Sequence, residues 1–191
     1  MSAASDGTRD TDTSDETLAA QCAGGDLTAF DALARRYQDR LYSYALRLCG
    51  DTYRAADLAQ ETLLRAFRSL ERFDPTRRFG PWVFGIASHV CRDWLRWRGR
   101  QREQSWETLD AAPGPDATVD TVVAGEERER VHRAVERLPL KYREVIVLHY
   151  LEELPYDAVA ESLGIKPEAA RRRALRARQM LRRYLGGSRD G

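Results

Sequence analysis

PYDAVAESLGIKPEAARRRALRARQMLRRYL, residues 155–185, decides how the chain is read. Tyr156, Val159, Ala160 and Leu163 supply one apolar face to a short helix, and Gly164 follows at the position that favours a left-handed backbone. Ile165 plugs the turn, and Pro167 stands where a first helical residue needs no N–H. In the second helix Ala170, Ala174, Ala177, Leu181 and Tyr184 recur at alternating intervals of four and three, which makes them the packed side. Arg171, Arg172, Leu175, Arg176 and Gln179 are left pointing outward. That face combines phosphate binders, guanine readers and one leucine able to touch a thymine methyl. A short helix, a glycine turn and a basic second helix predict a helix-turn-helix that faces DNA.

Working outward, charge is distributed in blocks. The formal net charge of the 191 residues is only +1, yet residues 72–102 carry +6 and residues 166–185 carry +7. Residues 103–129, between them, carry −7. Two basic blocks around an acidic stretch imply two anion-binding surfaces joined by a segment that avoids both. With 42% hydrophobic and 32% charged residues, the composition suits helical domains with modest cores. Cys22, Cys49 and Cys91 have no CxxC spacing and no histidine at a ligand interval, so reduced thiols and no metal are expected. No apolar run reaches the roughly 20 residues of a membrane span, and the N-terminal segment lacks a signal-peptide pattern, which predicts a cytoplasmic location.

The remaining segments read as helices and connections. Residues 1–25, dominated by Ser, Thr, Asp and Ala, are expected to be a disordered tail. Asp26 caps a long amphipathic helix carrying Phe30, Leu33, Tyr37, Leu41, Tyr44 and Leu48, which ends at Gly50. A second helix, residues 53–70, buries Leu58, Ala59, Thr62, Ala66 and Phe67 and turns Asp57, Gln60, Glu61 and Leu64 outward. Residues 71–80 read as a loop, and residues 82–98 as a helix stopped by Gly99. A linker is expected over 101–125, around Pro113, Gly114 and Pro115. Val131, Val135 and Leu138 mark one further helix, and Tyr142, Val145, Ile146 and Leu148 another. No strand pattern appears, so the expected fold class is all-α, with two small helical domains on a flexible acidic tether.

The stretch LEELPYDAVAESLGIKPEAARRRALRARQML, residues 151–181, resembles region 4 of bacterial sigma factors of the sigma-70 family, extracytoplasmic function (ECF) group. AADLAQETLLRAF, residues 55–67, resembles region 2.2, and RRFGPWVFGIASHVCRDWLR, residues 77–96, resembles regions 2.3 and 2.4. The resemblance runs from about residue 26 to 185 and places region 2 at 26–100, the linker at 101–125, region 4 at 126–186 and a short tail at 187–191.

This resemblance implies a subunit that binds core RNA polymerase, touching the clamp of its largest catalytic subunit and the second large subunit. It also implies promoter-specific initiation, with no catalysis and no cofactor of the chain's own. Asp57, Gln60, Glu61 and Leu64 match the face that meets the clamp. For the -10 element the family's pattern points to the loop over residues 73–79, with Arg77, Arg78 and Phe79, and then to Ser88, His89, Arg92 and Arg96. For the -35 element it points to Lys166, Glu168, Arg171, Arg172, Leu175 and Arg176. The acidic linker suits an RNA exit path, and an anti-sigma factor is expected by analogy.

Departures from the family's pattern are His89 for a usual Asn, Pro155 and Lys166 where Ser is frequent, Ala169 for a frequent Thr and Arg172 for a usual Ser. They imply a different hydrogen-bonding pattern offered to the -10 base and somewhat weaker -35 contacts, partly offset by the added charge of Arg172. The alternative is a free-standing helix-turn-helix regulator that binds duplex operator DNA without polymerase.

Overall fold

The computed structural model describes residues 13–104 and 124–186. Among these residues the chain is all-α, with eight α-helices and no strand. Helix α1, Asp15–Ala23, corrects the expectation of a disordered tail as far as residue 25. Ser14 caps it, and Leu18, Ala19 and Cys22 lie buried on one side. A carboxylate oxygen of Asp15 accepts from the Tyr37 hydroxyl at 2.6 Å and the other from Arg36 at 2.7 Å. A short polar helix with three small anchors offers little periodicity for a sequence reading to detect. Residues 1–12 of the expected tail lie outside the described residues.

Helix α2, Leu27–Cys49, starts where its cap requires, with the Asp26 carboxylate accepting from the Thr28 N–H at 2.9 Å. It ends at Gly50, whose φ of 70° closes the helix in the left-handed region. Helix α3 spans Thr52–Ser69 behind the Asp51 cap and runs into a 3-10 turn, Leu70–Arg72. Helix α4, Phe79–Gln104, is longer than its sequence pattern implied, passing through Gly99 without a break. Glycine inside a helix costs about 1 kcal/mol, which a long flanking helix absorbs. Tyr37, Tyr44, Phe73, Phe79 and Phe84 form the aromatic centre of this first domain, with ring centroids 5.1–6.3 Å apart and edge-on.

The second domain comprises α5, Ala124–Glu136, α6, Leu140–Ile146, α7, Tyr156–Leu163, and α8, Pro167–Gly186. A π-helical turn, Val147–Leu151, continues α6. Helices α5, α6 and α7 all pack on α8, against Ala170, Ala174 and Ala177, each fully buried. Gly164, at φ 62°, makes the turn between α7 and α8. Because α4 reaches Gln104 and α5 begins at Ala124, the ends of the linker expected over 101–125 are helical, and the rest of it lies outside the described residues. The tail expected at 187–191 also lies outside them.

The two domains pack together. Helix α4 lies along α7, and α2 meets α5, α6 and the π-helical turn. The α4–α7 contact is the most extensive of these.

Candidate nucleic-acid interface

Helix α8 presents the face expected from its spacing. Lys166, Glu168, Arg171, Arg172, Leu175 and Arg176 are exposed, with Leu175 half open to solvent. The three buried alanines hold the helix close to its neighbours, so the opposite side projects from the surface. One cation on this face is engaged, since Arg171 donates to the Asp157 carboxylate at 3.2 Å.

The face of α3 is also open. Asp57, Gln60 and Leu64 are exposed and Glu61 is half-buried, and Phe67, expected on the buried side, is exposed as well, its ring resting on Phe30 at the edge of the core. Asp57 pairs with Arg54 at 3.2 Å and Glu61 with Arg65 at 2.7 Å, both along the helix surface. Such exposed pairs are worth little and give way readily to a partner's charges.

The residues expected to meet the -10 element are arranged differently. Phe79 is fully buried against Tyr37, Phe73 and Trp82, so it is a core residue and not a DNA contact, which corrects the expectation for it. Its position follows from α1, because the Phe79 N–H at the start of α4 donates to the Glu16 carboxylate at 3.1 Å. Ser88 is buried too, but at the domain contact, where its hydroxyl donates to the Glu144 carboxylate at 2.7 Å. Arg92 grips the same carboxylate with two N–H groups, at 2.7 and 2.8 Å. Arg77 reaches across to Glu161 on α7 at 2.6 Å. His89 stays exposed, with Nδ1 against the Gly85 carbonyl at 2.8 Å. Arg78 and Arg96 are exposed as well, and Arg96 pairs with Asp93.

Three more polar bridges join the domains. Arg40 of α2 donates to the buried Glu152 carboxylate at 2.9 Å. Burial raises the Glu152 carboxyl above its ordinary pKa, opposed by the Arg40 hydrogen bond. Arg143 of α6 donates to the Leu48 carbonyl at 2.9 Å, at the last turn of α2, where the helix dipole favours a cation. Between α4 and α7 the Ser162 hydroxyl donates to the Pro81 carbonyl at 2.9 Å. A Cβ at Gly85 would stand 3.2 Å from the Ser162 carbonyl oxygen, so the helices meet where one of them has no side chain.

Glu144, Glu152 and Glu161 were missed by the reading from sequence. For Glu144 a signal existed. It shares the helical phase of Leu140 and Leu148, within a run of Val145, Ile146 and Val147, so an acid there is destined for burial and needs a partner. Among the described residues no cluster of His, Cys, Asp and Glu could hold a metal ion, and no helix is long and apolar enough to cross a membrane. Cys22, Cys49 and Cys91 are buried free thiols.

An all-helical pair of domains, one with an exposed basic recognition helix set by a helix-turn-helix, defines the class of helix-turn-helix DNA-binding proteins. The particular family follows from comparison with known proteins. The chain matches Sigma-70 region 2 over residues 33–101 and Sigma-70, region 4 over residues 128–181. It is 30% identical over 173 residues to the ECF RNA polymerase sigma factor SigW of Bacillus subtilis, covering 84% of this chain and 91% of that protein. It is 34% identical over 161 residues to ECF sigma factor SigE of Mycolicibacterium smegmatis, covering 83% of this chain and 62% of that longer protein. CnrH, solved in complex with the cytosolic domain of CnrY, superposes with a TM-score of 0.71 at 29% identity, over 91% of this chain and 98% of that one. The sigma factor RpoE of Bartonella quintana, at 23% identity and a TM-score of 0.69 over 85% of this chain and all of that one, shares the fold. The chain belongs to the sigma-70 family, in its ECF group, and is a sigma factor.

Proposed function

We propose that this sigma factor binds core RNA polymerase and directs initiation at promoters with -10 and -35 elements, under the control of an anti-sigma factor. Helix α8 reads the -35 element through Arg171, Arg172, Leu175 and Arg176, with Lys166 and Glu168 at the helix start. The loop before α4 and the α4 surface serve the -10 element through Arg77, Arg78, Ser88, His89, Arg92 and Arg96. The α3 face of Asp57, Gln60, Glu61 and Leu64 docks on the clamp of the largest polymerase subunit, with the second large subunit also in contact. An acidic, amide-bearing surface around one exposed leucine complements a basic helical partner.

The chain acts in the cytoplasm and contributes binding and positioning alone, since nucleotide addition belongs to the core enzyme. The observation that carries this reading is the outward face of α8, four arginine or leucine side chains exposed opposite three fully buried alanines. Two solved relatives were captured with partner proteins, CnrH with CnrY and RpoE with the anti-sigma factor NepR, which supports control by an anti-sigma factor.

Reconstitution tests the proposal. Purified chain mixed with core polymerase is expected to co-migrate with it and give run-off transcripts from a subset of genomic promoter fragments. No association with core would overturn it. Tight duplex binding without polymerase, at a palindromic site, would instead establish the free-standing regulator.

A further inference from the structure

We propose that Glu16 is a positioning residue for the -10 element: from helix α1 it fixes the first turn of α4 and, through that turn, the loop that carries Arg77 and Arg78. This rests on the proposed assignment of those two arginines to the -10 element. Helix α1, Asp15–Ala23, precedes the segment that matches Sigma-70 region 2, which begins at residue 33.

The start of α4 has little of its own to hold it. Arg78 stands immediately before the helix and carries no acceptor for the free N–H groups of a first turn. Gly80 and Pro81 follow Phe79; Pro81 needs no partner, but Gly80 leaves the backbone a wide choice of conformations. Two consecutive acids of α1 make up the deficit. The half-buried Glu16 carboxylate accepts from the Phe79 N–H at 3.1 Å, so a side chain 63 residues earlier in the chain replaces the missing cap. It also sets a negative charge at the positive end of a 26-residue helix. The Asp15 carboxylate accepts from the Tyr37 hydroxyl at 2.6 Å, and burial beside that acid raises the Tyr37 pKa, so the hydroxyl remains a donor. A Cβ at Gly80 would lie 3.2 Å from the same hydroxyl, so the first turn of α4 rests against it only because residue 80 is glycine.

The other end of the loop is fixed within itself. The Asp74 carboxylate accepts from the Thr76 N–H at 2.9 Å and from its hydroxyl at 2.7 Å, and Phe73 is buried in the core. The loop therefore runs between a self-contained turn and an anchor supplied by α1. Arg78 is exposed and has no ion-pair partner among the described residues, so the backbone alone decides where its guanidinium reaches.

Full-length variants bound to core polymerase test this on a promoter library randomised over both elements, read by sequencing the run-off transcripts. Glu16→Ala is expected to flatten base preference at the -10 element by about fivefold, the weight of one lost helix cap. Preference at the -35 element and co-migration with core are expected to stay as in the parent. Glu16→Gln keeps an acceptor for the Phe79 N–H and is expected to restore most of the preference. Tyr37→Phe, which removes the hydroxyl and keeps the ring, is expected to flatten the -10 profile in the same direction, and it carries the test if Glu16→Ala loses helix content.

An unchanged -10 profile with native circular dichroism overturns the inference. Equal flattening at both elements overturns it too, since that is lost stability and not lost position, as does a Glu16→Gln variant that restores nothing. Arg78→Ala in the same library separates the two levels of the argument. If it leaves the -10 profile unchanged, the loop has no part in reading the -10 element and the inference falls with that assignment. If Arg78→Ala changes the profile while Glu16→Ala does not, the positioning role alone is struck out.

Discussion

Glu144 and the α8 arginines mark opposite uses of charge at the scale of single residues. One is buried and satisfied within the chain; the others stay at the surface, where a phosphate or a base edge could meet them. Arg176→Ala is expected to cost about 1–3 kcal/mol at one promoter position if its guanidinium reads a base, or to weaken binding evenly across sequences if it holds a phosphate. Titrating a panel of -35 duplexes with the purified chain separates the two, and no change on any duplex removes Arg176 from the interface. These exposed residues were legible because Ala170, Ala174 and Ala177 set the phase of α8 within a single helix. Glu144 was legible only as a buried acid. Its partners, Ser88 and Arg92, lie 56 and 52 residues earlier in the chain, and spacing within α6 contains nothing that selects them. Phe79 was misread for a related reason. It begins α4 inside an aromatic cluster assembled from α2, the loop and α4, and a local reading sees only its place beside Arg77 and Arg78.

Among the elements, α1 departs furthest from its sequence pattern, because a segment read as a tail holds the start of α4 through Glu16 and the middle of α2 through Asp15. Leu18→Ala is expected to lower the stability of the region 2 domain by about 2–5 kcal/mol, the usual cost of truncating a buried leucine. Thermal unfolding followed by circular dichroism checks this, and a melting curve identical to the parent's would mean that α1 is not part of the cooperative unit. At the start of α2, hydrogen bonds from the Thr28 hydroxyl and N–H hold the Asp26 carboxyl below its ordinary value of 3.8. A carboxyl whose pKa is lower in the folded state adds stability above its unfolded pKa and loses it as pH falls through the folded one. Asp26→Asn keeps the cap but removes that dependence, so its melting temperature is expected to fall less than the parent's as pH drops below about 4. The Asp26 cap of α2, the glycine stops of α2 and α7 and the proline start of α8 were readable because they are local chemistry, whereas the passage of α4 through Gly99 was not, since glycine there is tolerated rather than used.

For the whole molecule the consequence lies in which surfaces are available at once. The α3 face and α8 are open to solvent, while Ser88 and Arg92 are engaged by Glu144. Asp57→Arg and Glu61→Arg are therefore expected to reduce association with core polymerase, measured by co-migration, while leaving helix content and -35 duplex binding unchanged. Loss of duplex binding alongside would mean damage to the fold. The all-α class and the two-domain division were visible from periodicity and composition, because each domain carries its own apolar faces. Their mutual contact was not, being built from scattered polar pairs that no periodicity announces. Trp82 sits at this contact, stacked at a tilt on Phe73 with centroids 4.9 Å apart and lining the cleft of about 540 Å³ that Arg65, His89, Glu161 and Ser162 also border. The chain thus contains its own optical gauge. Parting the domains would hydrate this indole, so the emission of a Gly85→Leu variant is expected to shift to longer wavelength, and the shift should vanish in Trp82→Phe. That readout needs no label and reports on the α4–α7 contact directly.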